Sequence, residues 1–204
     1  MGLHGSSTTP LVLQDVRVPS ENLLGEVGKG HKVAFNVLNF GRFKLGAMCT
    51  GGARTAIAQS AKYAAARRQF GRPIADFGAI KHKIGEMVAR TYALESLLYR
   101  TVGLIEQWTG RVAASNPADG AALLAALEEF AVEASIAKAK GGEISRTATQ
   151  RCIAILGSMG ISQEFLLEKW FRDCRITDIY EGTGQIQRLI IAREILGYSA
   201  AQLS

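Results

Sequence analysis

One carboxylate lies in a segment whose residue types suit acid–base chemistry. Glu181 follows the apolar pair Ile179-Tyr180 and precedes the turn Gly182-Thr183-Gly184, after which a helical pattern begins. Apolar neighbours desolvate a carboxylate and so favour its acceptance of a proton near neutral pH. Backbone amides and a hydroxyl at a helix start can also bind an anionic or hydrogen-bonding ligand. The same pattern is typical of a helix N-terminal cap with an acid near the dipole, and residue types alone favour that second interpretation.

Three segments of the chain together resemble one enzyme family. The segment Ile179–Arg188 closely resembles the catalytic segment of the acyl-CoA dehydrogenases, flavoenzymes that desaturate acyl-CoA thioesters. Upstream, Arg67–Ile74 resembles the family's Arg-x-x-Phe-Gly flavin segment, and Gly25–Gly30 resembles the turn that leads into its C-terminal helical domain. Three matches in the right order across most of the chain are more specific than any one of them. The resemblance therefore implies the C-terminal part of such an enzyme.

The resemblance implies a role for each matched residue. Glu181 removes the α-proton of the thioester, while the β-hydride passes to a flavin, because no side chain accepts hydride. The family stabilises enolate-like charge with hydrogen bonds from the glutamate's own backbone N–H and from a flavin ribityl hydroxyl. The family's acyl-CoA contact matches Asn39, Phe40 and Arg42. The positions matched to flavin contacts are Arg67, Gln69, Phe70, Phe77, Gly78, Ile155, Gly157, Gly182, Thr183 and Gln185.

Two departures from the family pattern bear on these roles. Some relatives carry the base immediately before an arginine that matches Arg42, but that position here is Gly41, which cannot act as a base. The loop glutamate is then the base that is left. The segment Ala154–Gly160 resembles the part of the family that approaches the adenosine of the flavin, yet Ala154 stands where glutamine is usual and Ser158 replaces a glycine. Ala154 therefore cannot make the usual amide contact.

Simpler explanations stay open for the arginine segments. Arg42 is equally typical of an ordinary surface arginine on a helix. Without the glutamate match, Arg67–Ile74 is more typical of a basic helix C-terminus followed by a Gly-Arg-Pro turn. The glycines at 157 and 160 likewise suit the end of a helix. Residue types alone do not choose between these explanations and ligand contacts.

Composition is that of an ordinary globular protein and disfavours several classes. Of 204 residues, 48% are hydrophobic and 21% are charged, and the net charge of +6 comes from basic residues spread along the chain. Without a dense basic run, nucleic-acid binding is disfavoured. The three cysteines and three histidines are dispersed, which predicts no metal site and buried or incidental thiols in a reducing compartment. No apolar run approaches the length of a membrane span.

Helical periodicity dominates the chain after residue 25 and predicts an all-α fold. We expect an antiparallel four-helix bundle, like the acyl-CoA dehydrogenase C-terminal domain, over residues 25–204. Residues 1–24 are expected to be the tail end of the family's middle β-domain, with strand character over Leu11–Pro19. The first predicted helix begins after Gly30 and ends at Ala66, and the others span Phe77–Trp108, Ala121–Leu156, Gln163–Phe171 and Gly184–Leu196. A loop is predicted over Gly110–Gly120, and a kink or close helix packing is predicted at Gly141-Gly142.

The resemblance implies an FAD-dependent acyl-CoA dehydrogenase that forms 2,3-enoyl-CoA with Glu181 as its base. The resemblance implies an acyl-CoA substrate, a homodimer or homotetramer, and an electron-transfer flavoprotein as acceptor. It also implies a location in the bacterial cytoplasm or, in a eukaryote, in the mitochondrial matrix. It further implies a β-domain that covers the isoalloxazine ring, and the chain without that domain is expected to be inactive. An acyl-CoA oxidase with the same first half-reaction is one alternative, and a non-catalytic helical assembly module is another. The acyl chain length is not readable, because pocket depth depends on packing.

Overall fold

Three long helices and two short ones make up most of the part of the chain that the structure describes. The structure, a computed structural model, describes residues 1–115, 120, 122, 125 and 128–198. The predicted all-α fold is confirmed, and no helix among these residues is long and apolar enough to cross a bilayer. The helices that position the site are α1 (Gly30–Ala66), α2 (Gly78–Ser115), α3 (Ala131–Leu156), α4 (Leu166–Cys174) and α5 (Gly184–Leu196). The strands of the described residues, β1 (Arg68–Gln69) and β2 (Arg72–Pro73), form an antiparallel hairpin. Short 3₁₀ helices span Ser20–Asn22, Ile74–Asp76, Gly157–Ile161 and Arg175–Asp178.

The three long helices alternate in direction, as predicted for an antiparallel bundle. The hairpin reverses the chain between α1 and α2. Between α2 and α3, Glu86 pairs with Arg151, and Arg90 lies 3.8 Å from Glu143, so residue numbers rise on one helix as they fall on the other. α1 and α3 therefore run parallel to each other. The short helices α4 and α5 pack against α3 and complete the bundle.

Small residues let α1 and α3 approach closely. A Cβ placed on Gly141 would lie 3.1 Å from the Gly46 Cα and 3.2 Å from the Cys49 Cβ, and one placed on Gly142 would lie 3.3 Å from the Thr177 carbonyl oxygen. The close packing predicted at this glycine pair is confirmed, and α3 runs unbroken through it. The buried core around this contact includes Ala53, Ala56, Ile57, Ala64, Met87, Leu94, Leu98, Ala137, Ile144, Ala148, Cys152, Ile155, Leu156 and Leu167.

The strand predicted over Leu11–Pro19 is wrong for this chain. The segment forms no β-ladder, and the side chains of Leu11 and Val12 are 85% and 70% exposed. A strand needs a partner for its backbone hydrogen bonds, and the described residues offer only the two-residue hairpin β1–β2. The N-terminus instead docks on α4, where the Leu3 N–H donates to the Asp173 carboxylate at 2.7 Å.

The loop predicted over Gly110–Gly120 is wrong in its first half. α2 continues to Ser115, because Ala113 and Ala114 favour helix and the exposed Gly110 costs only about 1 kcal/mol. Apart from isolated positions, the rest of that loop and the predicted start of the next helix at residue 121 lie outside the described residues. The described helix that follows, α3, begins at Ala131.

The helix predicted over Gln163–Phe171 is displaced along the chain. It forms as α4, with the bounds Leu166–Cys174. The Ser162 hydroxyl accepts the Glu164 N–H at 3.3 Å, and this local turn competes with helix at the predicted start. By contrast, α5 has the predicted bounds and ends at Gly197, whose φ of 67° lies in the left-handed region expected of a terminating glycine.

The close contact between α1 and α3 can be tested by adding a side chain to it. Gly141→Val should lower the free energy of unfolding by about 1–3 kcal/mol, because the new side chain meets the α1 backbone at Gly46. Gly85→Val on α2 is the matched control, since nothing lies within 4 Å of an added Cβ there and valine favours helix more than glycine does. Chemical unfolding measures both variants, and equal stability would contradict the packing.

Candidate active site

Glu181 lies in a loop whose backbone conformation is uncommon for its residue type. The loop joins the Arg175–Asp178 turn to α5, and Glu181 has a φ of 56°, followed by Gly182 with a φ of 92°. The left-handed region is open to glycine but costs a residue with a Cβ on the order of 1 kcal/mol. Downstream, the Thr183 hydroxyl caps α5 by accepting the Ile186 N–H at 3.3 Å, so the helix cap that residue types favoured is present. Contacts from other helices must hold the glutamate itself.

Three buried side chains from three helices hold the two carbonyls of this loop. Arg42 of α1 donates through Nε to the Glu181 carbonyl oxygen at 3.2 Å. Gln187 of α5 donates through Nε2 to the same oxygen at 3.0 Å and to the Gly182 carbonyl oxygen at 3.2 Å. Lys138 of α3 donates through Nζ to the Gly182 carbonyl oxygen at 2.5 Å. We call Arg42, Lys138 and Gln187 the carbonyl clamp.

The Glu181 carboxylate lies directly against α1 at Gly41. A Cβ placed on Gly41 would be 2.7 Å from both carboxylate oxygens, so a glycine is required to leave room for them. The Oε2 atom is buried and has no hydrogen-bond partner among the described residues. Buried polar atoms are normally satisfied, so each exception calls for an explanation. Four other buried side-chain atoms of the described residues, on Ser60, Thr91, Ser135 and Gln187, share this state, and Glu181 differs from them in being a carboxylate. The absence of a side chain at residue 41 thus makes room for a carboxylate with one free oxygen.

Burial sets the electrostatics around the loop. Lys138 and Gln187 are 0% exposed, and Arg42 is 9% exposed. Desolvation lowers the pKa of Arg42 and of Lys138 from their ordinary values, and the Glu181 carboxylate is among the groups that oppose both shifts. Desolvation raises the pKa of the nearby Cys49 thiol to about 11. One carboxylate and two cations therefore share a poorly hydrated site, where charge interactions are stronger than in water.

The predicted acyl-CoA residues lie on α1 beside this loop. Asn39 accepts a hydrogen bond from Arg42 Nη1 at 2.8 Å through its Oδ1 and so orients the guanidinium. Phe40 is half exposed, and Lys44 Nζ lies 5.1 Å from the centroid of its ring. The explanation of Arg42 as an ordinary surface arginine is wrong, because the side chain is buried and bonded to the loop.

The predicted flavin segment forms an exposed hairpin at the other end of α1. Arg67 and Gln69 are exposed, and Phe70 is 90% exposed with a φ of 52°. Phe77 packs edge-on against Phe70 with 6.1 Å between ring centroids, and Gly78 begins α2. A large aromatic side chain held in solvent on an uncommon backbone conformation is typical of a contact surface.

Ile155 and Gly157 lie at the same end of the bundle as this hairpin, since α1 and α3 run parallel. The Ile155 side chain is 4% exposed and belongs to the core, so the flavin contact predicted for this residue can come only from its backbone. Gly157 ends α3 with a φ of 62°, as the helix-end explanation expects. Ala154 is exposed on the last turn of α3.

The predicted site residues thus form two groups at opposite ends of the bundle. Arg42 and Arg67 are 25 positions apart along α1, which is about 37 Å at a helical rise of about 1.5 Å per residue. The base and the acyl-CoA residues lie at one end, and the hairpin lies at the other. Three further residues matched to flavin contacts, Gly182, Thr183 and Gln185, lie with Glu181 on the loop and the first turn of α5.

Sequence reasoning missed two members of the carbonyl clamp and one member of the hairpin. Lys138 carries a signal that was available: it shares a helix face with Ala134, Gly141 and Gly142, and a lone charge among small residues indicates burial. Gln187 stands among apolar and charged residues of α5 and carries no comparable signal. In the hairpin, Arg72 lies over the Phe77 ring with 4.2 Å between its guanidinium carbon and the ring centroid.

Comparison with known proteins assigns this chain to a family. The family model described as acyl-CoA dehydrogenase, C-terminal domain, matches residues 28–196. This chain belongs to the acyl-CoA dehydrogenase family. A probable acyl-CoA dehydrogenase of Bacillus subtilis is 45% identical over 196 residues, which cover 96% of this chain and 33% of the relative.

A second relative and a solved structure are also similar to this chain over more than nine tenths of its length. The caffeyl-CoA reductase-Etf complex subunit CarC of Acetobacterium woodii is 35% identical over 96% of this chain and 47% of its own length. The crystal structure of an acyl-CoA dehydrogenase complexed with FAD from Bacillus anthracis aligns with a TM-score of 0.86 at 45% identity, covering 91% of this chain and 32% of that one. The chain therefore spans between about a third and about a half of the length of these relatives.

The contact between Glu181 and Gly41 can be tested by adding one methyl group. Gly41→Ala should displace the carboxylate, because the methyl would overlap both oxygens and the end of a glutamate side chain moves more easily than a backbone. The melting temperature should hold or rise, since alanine favours helix over glycine by about 1 kcal/mol. A crystal structure of the variant and calorimetry provide the two measurements.

Gly51→Ala, also on α1, controls for helix propensity alone, because its added Cβ meets nothing within 4 Å. It should leave the carboxylate in place. A Gly41→Ala structure with an unmoved carboxylate and a lowered melting temperature would show that the contact is not as described.

Proposed function

We propose that this chain supplies the catalytic base, part of the acyl-CoA site and part of a flavin site of an FAD-dependent acyl-CoA dehydrogenase that forms 2,3-enoyl-CoA. The observation that carries the proposal is the Glu181 carboxylate, which keeps one buried oxygen free of hydrogen bonds and lies against a glycine. Membership of the family supports the same chemistry. A loop that served only to cap α5 would have no use for a strained glutamate with an unpaired oxygen.

The chain's own residues hold and aim the base. Arg42 and Gln187 turn the Glu181 carbonyl into the bundle, and Gly41 gives the carboxylate space beside α1. Glu181 then takes the α-proton of an acyl-CoA whose carbonyl accepts hydrogen bonds that stabilise the developing negative charge. FAD, when bound, accepts the β-hydride. Asn39 bonds to the Arg42 guanidinium beside the base, Phe40 is half exposed on the same turn of α1, and we propose that both meet the substrate.

The hairpin end of the bundle fits the other part of a flavin site. Arg67 presents a guanidinium whose planar donors suit the pyrophosphate of FAD, and the exposed Phe70 packs edge-on against the partly buried Phe77. Because about 37 Å of helix separates Arg67 from Arg42 beside the base, a pyrophosphate held by the hairpin and an isoalloxazine ring held beside Glu181 would belong to different FAD molecules. The hairpin would therefore serve the flavin of a neighbouring subunit, which makes a homodimer or homotetramer part of the proposal.

The electron acceptor and the compartment extend this proposal. An electron-transfer flavoprotein is the proposed acceptor, and the relative CarC is itself a subunit of an Etf complex. The proposed location is the cytoplasm of a bacterium or the mitochondrial matrix of a eukaryote. Among the alternatives, an acyl-CoA oxidase shares the first half-reaction and differs only in its acceptor. A non-catalytic assembly module has no use for the free Glu181 oxygen, so the dehydrogenase is favoured over it.

The role of Glu181 can be tested in the full-length protein. This term means the present chain together with any further segments of the natural protein. Glu181→Gln should abolish bleaching of bound flavin by acyl-CoA, because an amide of nearly the same shape cannot accept the α-proton. Flavin should stay bound, since the backbone contacts of the loop remain. Anaerobic titration followed by absorbance measures both properties, and acyl-CoAs of several lengths also reveal the preferred substrate.

Glu194→Gln is the matched control on α5, because within the described part of the chain this exposed carboxylate pairs with its neighbour Arg193 at 2.6 Å. It should bleach at the normal rate. Bleaching of the Glu181→Gln protein at an undiminished rate would remove Glu181 from the mechanism.

The role of Arg67 can be tested by flavin affinity. Arg67→Ala should weaken FAD binding to the apoprotein by about tenfold or more, the loss expected for one charge-assisted hydrogen bond to a phosphate oxygen. Arg100→Ala, which removes an exposed arginine from α2, is the control and should leave the affinity unchanged. Fluorescence titration of both apoproteins with FAD gives the dissociation constants. Equal affinities would contradict the assignment of the pyrophosphate contact.

A further inference from the structure

Lys138 is a charged side chain with no access to solvent at all. It is 0% exposed, and it is the largest of the fully buried side chains among the described residues. Burying an ammonium group costs on the order of several kcal/mol, unless hydrogen bonds or opposite charges stabilise it. Among the residues that the structure describes, its hydrogen bond goes to one backbone atom, the Gly182 carbonyl oxygen, at 2.5 Å. A buried cation aimed at one carbonyl next to the proposed base calls for a functional explanation.

The position of that carbonyl explains what the ammonium does. The Gly182 carbonyl follows Glu181 by one peptide unit, in the stretch where both residues have a positive φ. Fixing this oxygen fixes the orientation of the Gly182–Thr183 peptide, and with it the direction from which the backbone enters α5. Gln187 donates to the same oxygen at a longer 3.2 Å. A charged donor is roughly twice as strong as a neutral amide, so Lys138 is the stronger of the two anchors.

Charged or titratable groups face Lys138 from three directions. Arg42 and Cys49 face it from α1, Asp178 from the turn before the loop, and Glu181 from the loop itself. The two carboxylates favour the ammonium and Arg42 disfavours it. The ammonium therefore also contributes positive charge next to the proposed base, in a site where water screens charge poorly.

We infer that Lys138 is a positioning residue for the Glu181 loop: its buried ammonium anchors the Gly182 carbonyl and thereby holds the carboxylate against Gly41 in the geometry that proton abstraction requires. The catalytic part of this inference rests on the proposed function. The anchoring part rests on the contacts of the loop alone. The two parts can be measured separately.

The experiment compares Lys138→Met with Lys140→Met in the full-length protein. Methionine keeps most of the length and bulk of lysine but cannot donate a hydrogen bond or carry charge. Lys140 is two residues further along α3, is exposed, and pairs with Glu143 at 3.1 Å, so it receives the same chemical change on the outer face of the same helix. The fold should persist in both variants, because Gln187 still donates to the Gly182 carbonyl in each of them.

Amide hydrogen exchange of the flavin-free protein gives the first readout. In Lys138→Met, the peptide that spans residues 178–187 should exchange at least tenfold faster than in the unsubstituted protein, while peptides from α1 and α2 stay unchanged. Lys140→Met should exchange like the unsubstituted protein throughout. Unchanged exchange of the 178–187 peptide in Lys138→Met would overturn the inference.

Exchange of the α-proton of an acyl-CoA for solvent deuterium gives the second readout. It is followed by NMR in D₂O and reports on removal of the α-proton, the step assigned to Glu181. In Lys138→Met this exchange should slow at least tenfold, with acyl-CoA affinity within about threefold of normal, whereas Lys140→Met should match the unsubstituted protein. A loosened loop with undiminished α-proton exchange would also overturn the inference, because the loop would then not be positioning the base.

Two further outcomes are decisive as well. If the unsubstituted protein shows no α-proton exchange, the proposed function fails, whereas amide exchange still decides whether Lys138 anchors the loop. If Lys138→Met does not fold, Gln187→Met removes the second donor to the same carbonyl, and faster exchange of the 178–187 peptide there supports carbonyl anchoring of the loop. Unchanged exchange in Gln187→Met would count against it.

Discussion

Buried hydrogen bonds to two consecutive carbonyls fix where the Glu181 carboxylate lies. The donors come from α1, α3 and α5, so the loop is held by the bundle rather than by its own sequence. A left-handed glutamate costs on the order of 1 kcal/mol, and a hydrogen bond from a charged donor contributes about 1.5–3 kcal/mol, so the clamp outweighs the strain it maintains. The consequence is that any change in the spacing of these helices reaches the carboxylate.

The spacing itself is set one helical turn away from the clamp. Gly46 follows Arg42 by four residues on α1, and Gly142 follows Lys138 by four residues on α3. Gly46 and Gly141 bring the two backbones close together, and Gly142, the next residue, receives the Thr177 carbonyl from the turn that leads into the loop. The small residues on these helices therefore place the two cations of the clamp on either side of the same loop. Packing and chemistry share one stretch of each helix, so the interface between α1 and α3 has little freedom to vary.

Much of this fold was readable from the sequence, and the failures have identifiable causes. The apolar positions of α2 and the terminating Gly197 of α5 follow from local periodicity and backbone preference, so they were predicted. The strand over Leu11–Pro19 was not found, because strand formation depends on a partner that local pattern does not supply. Ile155 was matched to a flavin contact by its place in a motif, and the motif gave no sign that its side chain packs in the core.

The candidate site also contains residues that the sequence revealed and residues that it did not. Glu181 stands out in the sequence because its neighbours suit a base, and Gly41 drew attention as a missing side chain. Its second role, as space for the carboxylate, required three-dimensional contact between residues 140 positions apart. Lys138 and Gln187 act through backbone atoms of other elements, and a backbone acceptor has no residue type that a sequence could reveal. Positioning residues of this kind are therefore systematically harder to predict than the group they position.

The length of α1 imposes the last constraint on how such a site can be completed. A single unbroken helix connects the residues that hold the base to the hairpin that carries Arg67 and Phe70, and a helix transmits position with little compliance over about 37 Å. Under the proposed function, each chain then presents its base at one end and its flavin contacts at the other, and two copies must align so that these ends meet. An isologous dimer meets this requirement, because the hairpin of each chain then lies at the base of its partner. A helix of fixed length is well suited to that exchange, because it makes the distance between the two half-sites the same in every copy.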